Sequence, residues 1–168
     1  MSKVLLRAIE AGDLPIIQRW RNSDKVMPYC RQYRPLSLKD MGDWYLKLSE
    51  DKDYNLTNDL FIIDYDYKSI GVCGLVRLDW RNRKAELSFY VGEAISEATI
   101  REAFMAIIRY GLATLNLWKI SFPCYSFNPY IPLYEEMMNK EYIAKSEYYH
   151  EGKYYDRIVL VKYNETKL

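Results

Sequence analysis

The sequence predicts one α+β domain in which a mixed, mostly antiparallel sheet packs against helices. Three observations support this fold class. Lys84–Val91 alternates apolar and polar residues, which is the period of a half-buried strand. Two further strand-like segments, Leu60–Tyr65 and Ser69–Asp79, precede it with only short turns between them, as in antiparallel sheets. A long amphipathic helix follows, because apolar residues recur at helical spacing from Ile100 to Leu115.

Length and charge limit the class of protein. The 168 residues are enough for one domain, residues 1–168, with its own core. The 24 basic and 23 acidic side chains nearly cancel, so the total charge does not indicate nucleic-acid binding. The N-terminal apolar run is too short for a signal peptide, and no segment approaches the length of a membrane span. We expect a cytoplasmic protein without a membrane partner. One basic cluster beside aromatic residues is the only feature that points toward nucleic acid: Arg77, Arg81, Arg83 and Lys84.

Cysteine and histidine content argues against a metal site. Cys30, Cys73 and Cys124 are odd in number and share no close ligand spacing, so reduced thiols are expected. His150 is the only histidine, which argues against a His-rich metal site and against a Ser-His-Asp triad. We expect no bound metal.

The first third of the chain predicts a strand, two helices and their connections. Val4–Ile9 has a strand pattern, and Asp13 is placed to cap a helix that has Pro15 in its first turn. Ser37 is a candidate N-cap for a second helix with apolar residues at helical spacing. The polar segment Asp51–Asp59 predicts a turn that leads into the sheet.

The last half of the chain predicts a capped helix, a strand with an internal proline and a hairpin. Thr99 and Glu102 fit a capping box at the start of the long helix. Pro123 lies inside the next strand, Lys119–Ser126, and makes it an edge or a splayed strand because proline offers no ladder donor. Asn128 is a candidate start for a short helix. Two strands joined by a tight turn end the chain: Tyr142–Tyr149 and Tyr154–Tyr163.

The order of these elements and their motifs resembles the GCN5-related N-acetyltransferase (GNAT) superfamily. The resemblance depends on LRAIEAGDL with WRN near residue 20, VGE before the long helix, LNLWKI after it, Asn128 with Leu133-Tyr134-Glu135, and the C-terminal HEGKYYDRIVLVKY. It covers nearly the whole chain and is most similar to the ribosomal-protein and amino-sugar acetyltransferases. The resemblance implies a three-layer α/β arrangement, with six to seven strands, helices on both faces and a splay between the fourth and fifth strands.

The resemblance also implies a site for acetyl-coenzyme A (acetyl-CoA), used as a co-substrate. In the family, backbone N–H groups of the turn and of the following helix N-terminus hold the pyrophosphate, because unpaired donors and the helix dipole favour anions. The corresponding positions are the end of the third strand, the turn, the helix start and a later asparagine: Phe89, Tyr90, Val91, Ser96, Glu97, Ala98, Thr99, Ile100, Arg101 and Asn128.

The turn itself departs from the family pattern. Where the family has Gln/Arg-x-x-Gly-x-Gly/Ala, this chain has Ile95–Ile100, with neither glycine and with Glu97 inside the loop. Glycine permits close backbone approach to phosphates, and Glu97 repels a pyrophosphate unless it points away. Two classes of function therefore stay open. One is an acetyl-CoA-dependent N-acetyltransferase; the other is a binding module on the same fold without catalysis, or a transferase with a different acyl donor.

Acetyl transfer to an amine needs a base for the amine, polarisation of the thioester and an acid for the leaving thiolate. The resemblance implies Tyr134 as the general acid, and Glu86 as a base that acts directly or through water or as the group that holds the acceptor cation. Each residue also has a structural interpretation. Tyr134 would be a packed ring with a hydrogen bond, and Glu86 would be the cross-strand partner of Arg77 or Arg83.

The acceptor site is the least determined part of the sequence. In the family, a loop and a helix of the N-terminal region cover it, and packing or solvation explains the same side chains equally well. The candidates are Arg21, Asn22, Tyr29, Arg31, Tyr33 and Trp44. The acceptor is expected to be the primary amine of a small molecule, an amino sugar or a peptide N-terminus. Sheet edges and tyrosine-rich surfaces allow a homodimer as well as a monomer.

Overall fold

The computed structural model describes residues 3–32 and 34–165. Its strands are, in chain order, β1 (Val4–Ala8), β2 (Asn58–Tyr65), β3 (Lys68–Asp79), β4 (Lys84–Val91), β5 (Lys119–Tyr125), β6 (Asn139–His150) and β7 (Lys153–Tyr163). They form one seven-stranded sheet in the order β1-β2-β3-β4-β5-β7-β6. Neighbouring strands are antiparallel, except that β4 and β5 are parallel. This is the mixed, mostly antiparallel sheet that the sequence predicts.

Helices cover both faces of the sheet. They are α1 (Leu14–Arg21), α2 (Leu38–Glu50), α3 (Lys52–Thr57), α4 (Glu97–Arg109), which continues as a π-helical turn over Tyr110–Thr114, and α5 (Ile131–Glu135). Two hydrophobic clusters result, one on each face. Ile62 and Ile63 are adjacent in β2, point to opposite faces and belong to different clusters. Phe104 of α4 is buried in one cluster, and Trp20 of α1 is buried in the other.

Most of the predicted elements are confirmed. Strand β4 has the predicted bounds, and Ser37 caps α2 by accepting from the backbone N–H of Asp40 at 3.1 Å. The prediction for Asp51–Asp59 is wrong, because this segment contains α3, whose N-cap is Asp51. Asp13 does not cap α1 with its side chain, because its carboxylate is held by Arg7 at 2.8 Å.

The predicted capping box at the start of α4 is also wrong. The helix begins at Glu97, and Ser96 is the N-cap, with its hydroxyl accepting from the Thr99 N–H at 3.2 Å. Thr99 is buried one turn inside the helix. The Glu102 carboxylate accepts from the Val4 N–H at 3.1 Å, so it connects α4 to β1 instead of reaching back to its own helix.

The parallel pair β4–β5 opens along its length. Only three positions are paired, residues 84–86 with residues 119–121, whereas β5 stays paired with β7 as far as Tyr125. Pro123 lies beyond the last pair, where β4 has already diverged and no donor is required on that side. The prediction of a splayed strand is confirmed, although β5 is an internal strand and not an edge.

Within the described residues, no helix combines the length and the apolar character that crossing a bilayer would require.

Candidate active site

Three adjoining cavities follow the opening between β4 and β5. The outer groove, of about 280 Å³, lies where the two strands are still paired. A middle cavity of about 230 Å³ shares Glu86, Pro123 and Arg157 with that groove. An inner cavity of about 70 Å³ shares Phe89 and Phe122 with the middle one and ends at Tyr134. The sheet therefore carries one continuous cleft with Glu86 toward one end and Tyr134 at the other.

Tyr134 is held rigidly at the inner end of the cleft. Its ring stacks on Phe104 at 4.8 Å between centroids and meets the Phe122 ring at a right angle at 5.0 Å. The side chain is buried, and no described residue is hydrogen-bonded to its hydroxyl. Burial raises the pKa of Tyr134 well above the ordinary tyrosine value, and the buried Cys124 thiol adds to the increase. The hydroxyl therefore keeps its proton at neutral pH.

Glu86 lies on the wall shared by the outer groove and the middle cavity. One carboxylate oxygen accepts from Arg31 at 2.6 Å and the other accepts from Arg77 at 2.9 Å. Its side chain is 16% exposed, much less than those of the two arginines. The cross-strand pairing with Arg77 is therefore present, while Arg83 donates instead to the Asn116 carbonyl. Glu86 combines a position in the cleft with a pair of guanidinium partners.

The start of α4 does not require glycine at the two positions where the family has it. Ala98 and Ile100 lie in regular helix with negative φ, so neither position needs the conformational freedom of glycine. Ile100 is buried and lines the inner cavity, whereas Glu97 is exposed at the first helical position. The first N–H groups of a helix have no intrahelical acceptor, and here they follow the Ser96 cap. The backbone of an anion site is therefore intact.

Charge around this turn is largely neutralised by local pairs. Arg101 donates to Glu136 at 2.6 Å, so its charge is engaged outside the turn. Glu93 accepts from Arg19 and from the Trp20 indole, both at 2.8 Å. These bonds attach the turn to α1 on the other face of the sheet.

One glycine in the turn does have a steric requirement. A Cβ at Gly92 would lie 2.0 Å from the Trp20 ring, so only glycine fits against this buried indole. Gly92 also donates to the Ile70 carbonyl at 2.9 Å. Gly92 therefore fixes the packing of the turn against α1.

The structure brings most of the predicted site residues together. Ten line the middle or inner cavity: Arg21, Tyr29, Arg31, Glu86, Phe89, Tyr90, Val91, Ile100, Asn128 and Tyr134. Five lie around the helix start and do not line these cavities: Ser96, Glu97, Ala98, Thr99 and Arg101. Tyr33 lies outside the described residues.

Two predicted acceptor residues are placed elsewhere. The Asn22 amide donates to the Leu36 carbonyl and accepts from the Leu36 N–H, both at 2.8 Å, so it anchors the loop that follows α1. Trp44 packs from α2 into the cluster around Trp20. Neither lines the cleft, and the structure gives both of them the structural role that the sequence left open.

Several cleft residues were not found from the sequence. Cys30 and Tyr125 line the middle cavity, and Arg157 lines both this cavity and the outer groove. Tyr125 and Arg157 become neighbours through the register of β5 with β7. No local motif contains this information, because it depends on the pairing of distant strands.

Metal chemistry has no ligand set in the described part of the chain. No group of three or more His, Cys, Asp or Glu side chains there is arranged to hold an ion. The three cysteines are free thiols. Burial raises the pKa of Cys124 to about 12, so this thiol stays protonated beside Tyr134.

Comparisons with known proteins agree with the geometry. Residues 3–130 match the family described as "Acetyltransferase (GNAT) domain". A spermidine N(1)-acetyltransferase of Vibrio cholerae is 27% identical over 158 residues, which cover 92% of this chain and 90% of that protein.

Solved structures show the same fold. The spermidine N-acetyltransferase from Vibrio cholerae in complex with CoA and spermine superposes with a TM-score of 0.82 at 24% identity, covering 97% of this chain and 96% of the other. A K23-Q34 chimera of SpeG from Vibrio cholerae and hSSAT superposes with a TM-score of 0.85 at 23% identity, covering 98% and 97%. Of the two classes that the sequence left open, the family match and the curated relative support the enzyme. The chain belongs to the GNAT acetyltransferase family and is an acetyl-CoA-dependent N-acetyltransferase.

Proposed function

We propose that this chain transfers the acetyl group of acetyl-CoA to a primary amine bound in the cleft between β4 and β5. The observation that carries the proposal is that one continuous cleft holds a protonated buried tyrosine at its inner end and a carboxylate toward its outer end. A proton donor and a proton acceptor are the two groups that acetyl transfer to an amine requires, so this pair supports the proposal.

The inner cavity suits the donor. Its walls include the apolar side chains of Phe89, Ile100 and Phe122, and it opens where β4 and β5 part, so a thin chain can enter between the strands. Backbone donors at the start of α4 and the amide of Asn128 are available to polar parts of the donor. When bound, acetyl-CoA supplies the thioester that is attacked.

The chain's own residues then handle the protons. Tyr134 donates its phenolic proton to the departing thiolate sulfur, since its ring is fixed by aromatic contacts and its hydroxyl has no competing bond in the described residues. Glu86 accepts the proton of the attacking amine, directly or through a water molecule. For this step one of its guanidinium partners must release a carboxylate oxygen.

Other features of the predicted function stay proposals. The acceptor is a small molecule, an amino sugar or a peptide with a free primary amine. We propose a cytoplasmic location because three free cysteines are best preserved in a reducing compartment. We propose a monomer or a homodimer.

The proposal is tested by amine-dependent acetyl transfer. The purified protein is incubated with acetyl-CoA and a panel of amines, while released thiol is followed by absorbance and acetylated product by mass spectrometry. Product that depends on both substrates supports the proposal. Bound acetyl-CoA without product from any amine, amino sugar or peptide would favour a binding module instead.

A further inference from the structure

We propose that the acceptor amine also carries an oxyanion, a carboxylate or a phosphate, which the arginines around Glu86 bind. This inference deepens the proposed acetyl transfer and rests on it, since it names the class of amine. The inference is based on the surroundings of Glu86 on the cleft wall. More cationic side chains lie around this carboxylate than it can neutralise.

The outer groove and the middle cavity have an excess of positive charge. Six cationic side chains line them: Arg21, Arg31, Arg77, Lys84, Lys119 and Arg157. Among the residues that the structure describes, two carboxylates line them, those of Glu86 and Glu141. Asp79 and Glu147 pair with lining cations from outside, and even with them the cations exceed the acids by two. A chain with a net charge of +1 therefore concentrates positive charge in this cleft.

The arrangement at Glu86 matches a ligand of mixed charge. Arg31 and Arg77 each direct one guanidinium N–H to a different oxygen of Glu86, and their side chains are 53% and 63% exposed. A guanidinium has further donors that suit a carboxylate or phosphate in a forked geometry. A ligand oxyanion can therefore take over one arginine, which frees one Glu86 oxygen for the ammonium group of the same ligand.

The backbone around Arg77 supports a functional role. Its φ is +53°, in the left-handed region that side-chain-bearing residues seldom adopt. The residue lies in a bulge of β3, where the pairing with β4 skips between Val76 and Asp79. Bulges of this kind turn a side chain toward a site. Here the bulged residue meets Glu86 at the cleft wall.

Arg157 adds a second guanidinium wall. It projects from β7 beside Tyr125 and lines both the outer groove and the middle cavity. Two of its N–H groups donate to the Glu147 carboxylate, and the Arg157 and Glu147 side chains are 28% and 46% exposed. An anion in the groove would compete with Glu147 for these forked donors.

The same charges disfavour a polyamine. Spermidine and spermine carry several ammonium groups and no anion, so most of their length would face cationic walls. The curated relative is named for spermidine acetylation, but its identity to this chain is only 27%, and the cleft charges come from this chain's own residues. Like charges at short range cost binding free energy and oppose entry.

Equilibrium binding to the CoA-loaded protein tests the inference separately from turnover. Calorimetric titrations compare two matched pairs, alanine with alaninamide and glucosamine 6-phosphate with glucosamine, together with spermidine. We expect the anionic member of at least one pair to bind at least tenfold more tightly than its neutral partner, and spermidine to bind more weakly than that anion. The pair that shows the difference distinguishes a carboxylate from a phosphate. Equal binding within both pairs, no binding by any anion or tightest binding by spermidine would overturn the inference.

Matched variants locate the effect. Arg77→Gln should weaken binding of the preferred anion by roughly tenfold to a hundredfold, because a charge-assisted hydrogen bond is lost. Binding of its neutral partner should stay within about threefold. Arg81→Gln removes the same charge from an exposed turn outside the cleft and should change neither ligand. An equal loss for both members of the pair in Arg77→Gln would assign that arginine to structure only and overturn its role.

The two proposals fail in different ways. Acetyl transfer to spermidine in preference to the anionic amines would leave the acetyltransferase function intact and reject the oxyanion. Selective anion binding without acetyl transfer to any amine would support the charged site and reject the proposed reaction.

Discussion

At the scale of single residues, Tyr134 carries the most specific chemical role. Its ring is enclosed by Phe104 and Phe122, while its hydroxyl has no hydrogen-bond partner in the described residues. One substitution can therefore test the proposed proton donation without disturbing the packing, because phenylalanine keeps the Tyr134 ring and removes its hydroxyl.

Tyr134→Phe should lower kcat for acetyl transfer by roughly a hundredfold or more, because a positioned general acid contributes about 10²–10⁴. Thermal stability should stay close to that of the wild type, since the lost hydroxyl leaves no buried partner unpaired among the described residues. The measurement is kcat beside the melting temperature. Tyr149→Phe, at an exposed position in β6, is the matched control. An unchanged kcat in Tyr134→Phe would remove this residue from the mechanism.

Residues with a family motif could be predicted from the sequence, and residues placed only by strand pairing could not. Tyr134 and Glu86 were found because each lies in a segment with a recognisable neighbourhood. Arg157 reaches the same cleft through the β5–β7 register, which no local pattern encodes. Asn22 shows the converse, because a motif residue serves the loop after α1 and not the cleft.

At the scale of elements, the start of α4 is the feature on which donor binding depends. Ser96 both ends the turn and caps the helix by accepting from the Thr99 N–H. The sequence predicts the cap at Thr99, three positions later, because Thr99 and Glu102 fit a capping box. In the structure Thr99 is buried inside the first turn, and its hydroxyl is bonded to that of Ser96 at 2.9 Å.

Ser96→Ala should lower the free energy of unfolding by about 1 kcal/mol, which is the usual cost of removing an N-cap hydroxyl. It should also weaken acetyl-CoA binding, because the frayed first turn no longer holds its N–H groups in place. Urea unfolding and calorimetric titration measure the two effects. Ser126→Ala, which removes an exposed hydroxyl that accepts from the Asp156 backbone N–H, controls for the loss of a surface hydrogen bond. A stable variant with unchanged donor affinity would contradict the role of this cap.

Strand elements were predicted better than helix ends. The bounds of β4 agree because one face is buried, and a slip of one residue would expose every apolar side chain on it. The short helix α3 was missed because none of its six residues is buried, so its two apolar side chains, Tyr54 and Leu56, form no hydrophobic period.

At the scale of the whole molecule, net charge conceals how charge is distributed. The total of 24 basic and 23 acidic side chains is nearly balanced, yet the fold gathers Arg31, Arg77 and Arg157 from separate parts of the chain around Glu86. Composition cannot reveal such a local excess, because only the tertiary structure brings these residues together.

Stability should fall steeply in alkali. Among the described residues, burial raises the folded-state pKa of three cysteines and five tyrosines: Cys30, Cys73, Cys124, Tyr90, Tyr110, Tyr125, Tyr134 and Tyr148. Their unfolded pKa values are near 9.0 for thiols and 10.0 for tyrosines. Below these values both states hold the protons. Above them the unfolded chain ionises first, so stability is lost as pH rises toward the folded pKa values.

The free energy of unfolding should therefore decline from pH 8 to pH 10.5, by up to about 1.4 kcal/mol per pH unit for each group that ionises only on unfolding, and the urea midpoint should fall with it. Cys73→Ala, which removes one buried thiol, should flatten the decline between pH 9 and 10.5. A midpoint that does not change over this range, or an equally steep decline in Cys73→Ala, would contradict the assignment.

The most direct test of the whole account is calorimetric titration of the purified protein with acetyl-CoA, with CoA as the control ligand. The proposed donor site lies at the start of α4 and between β4 and β5, and its backbone does not depend on the two family glycines. We expect saturable binding of acetyl-CoA with a micromolar dissociation constant. An absence of binding at millimolar acetyl-CoA would contradict the account, because the cleft would then lack the donor on which the acetyl transfer depends.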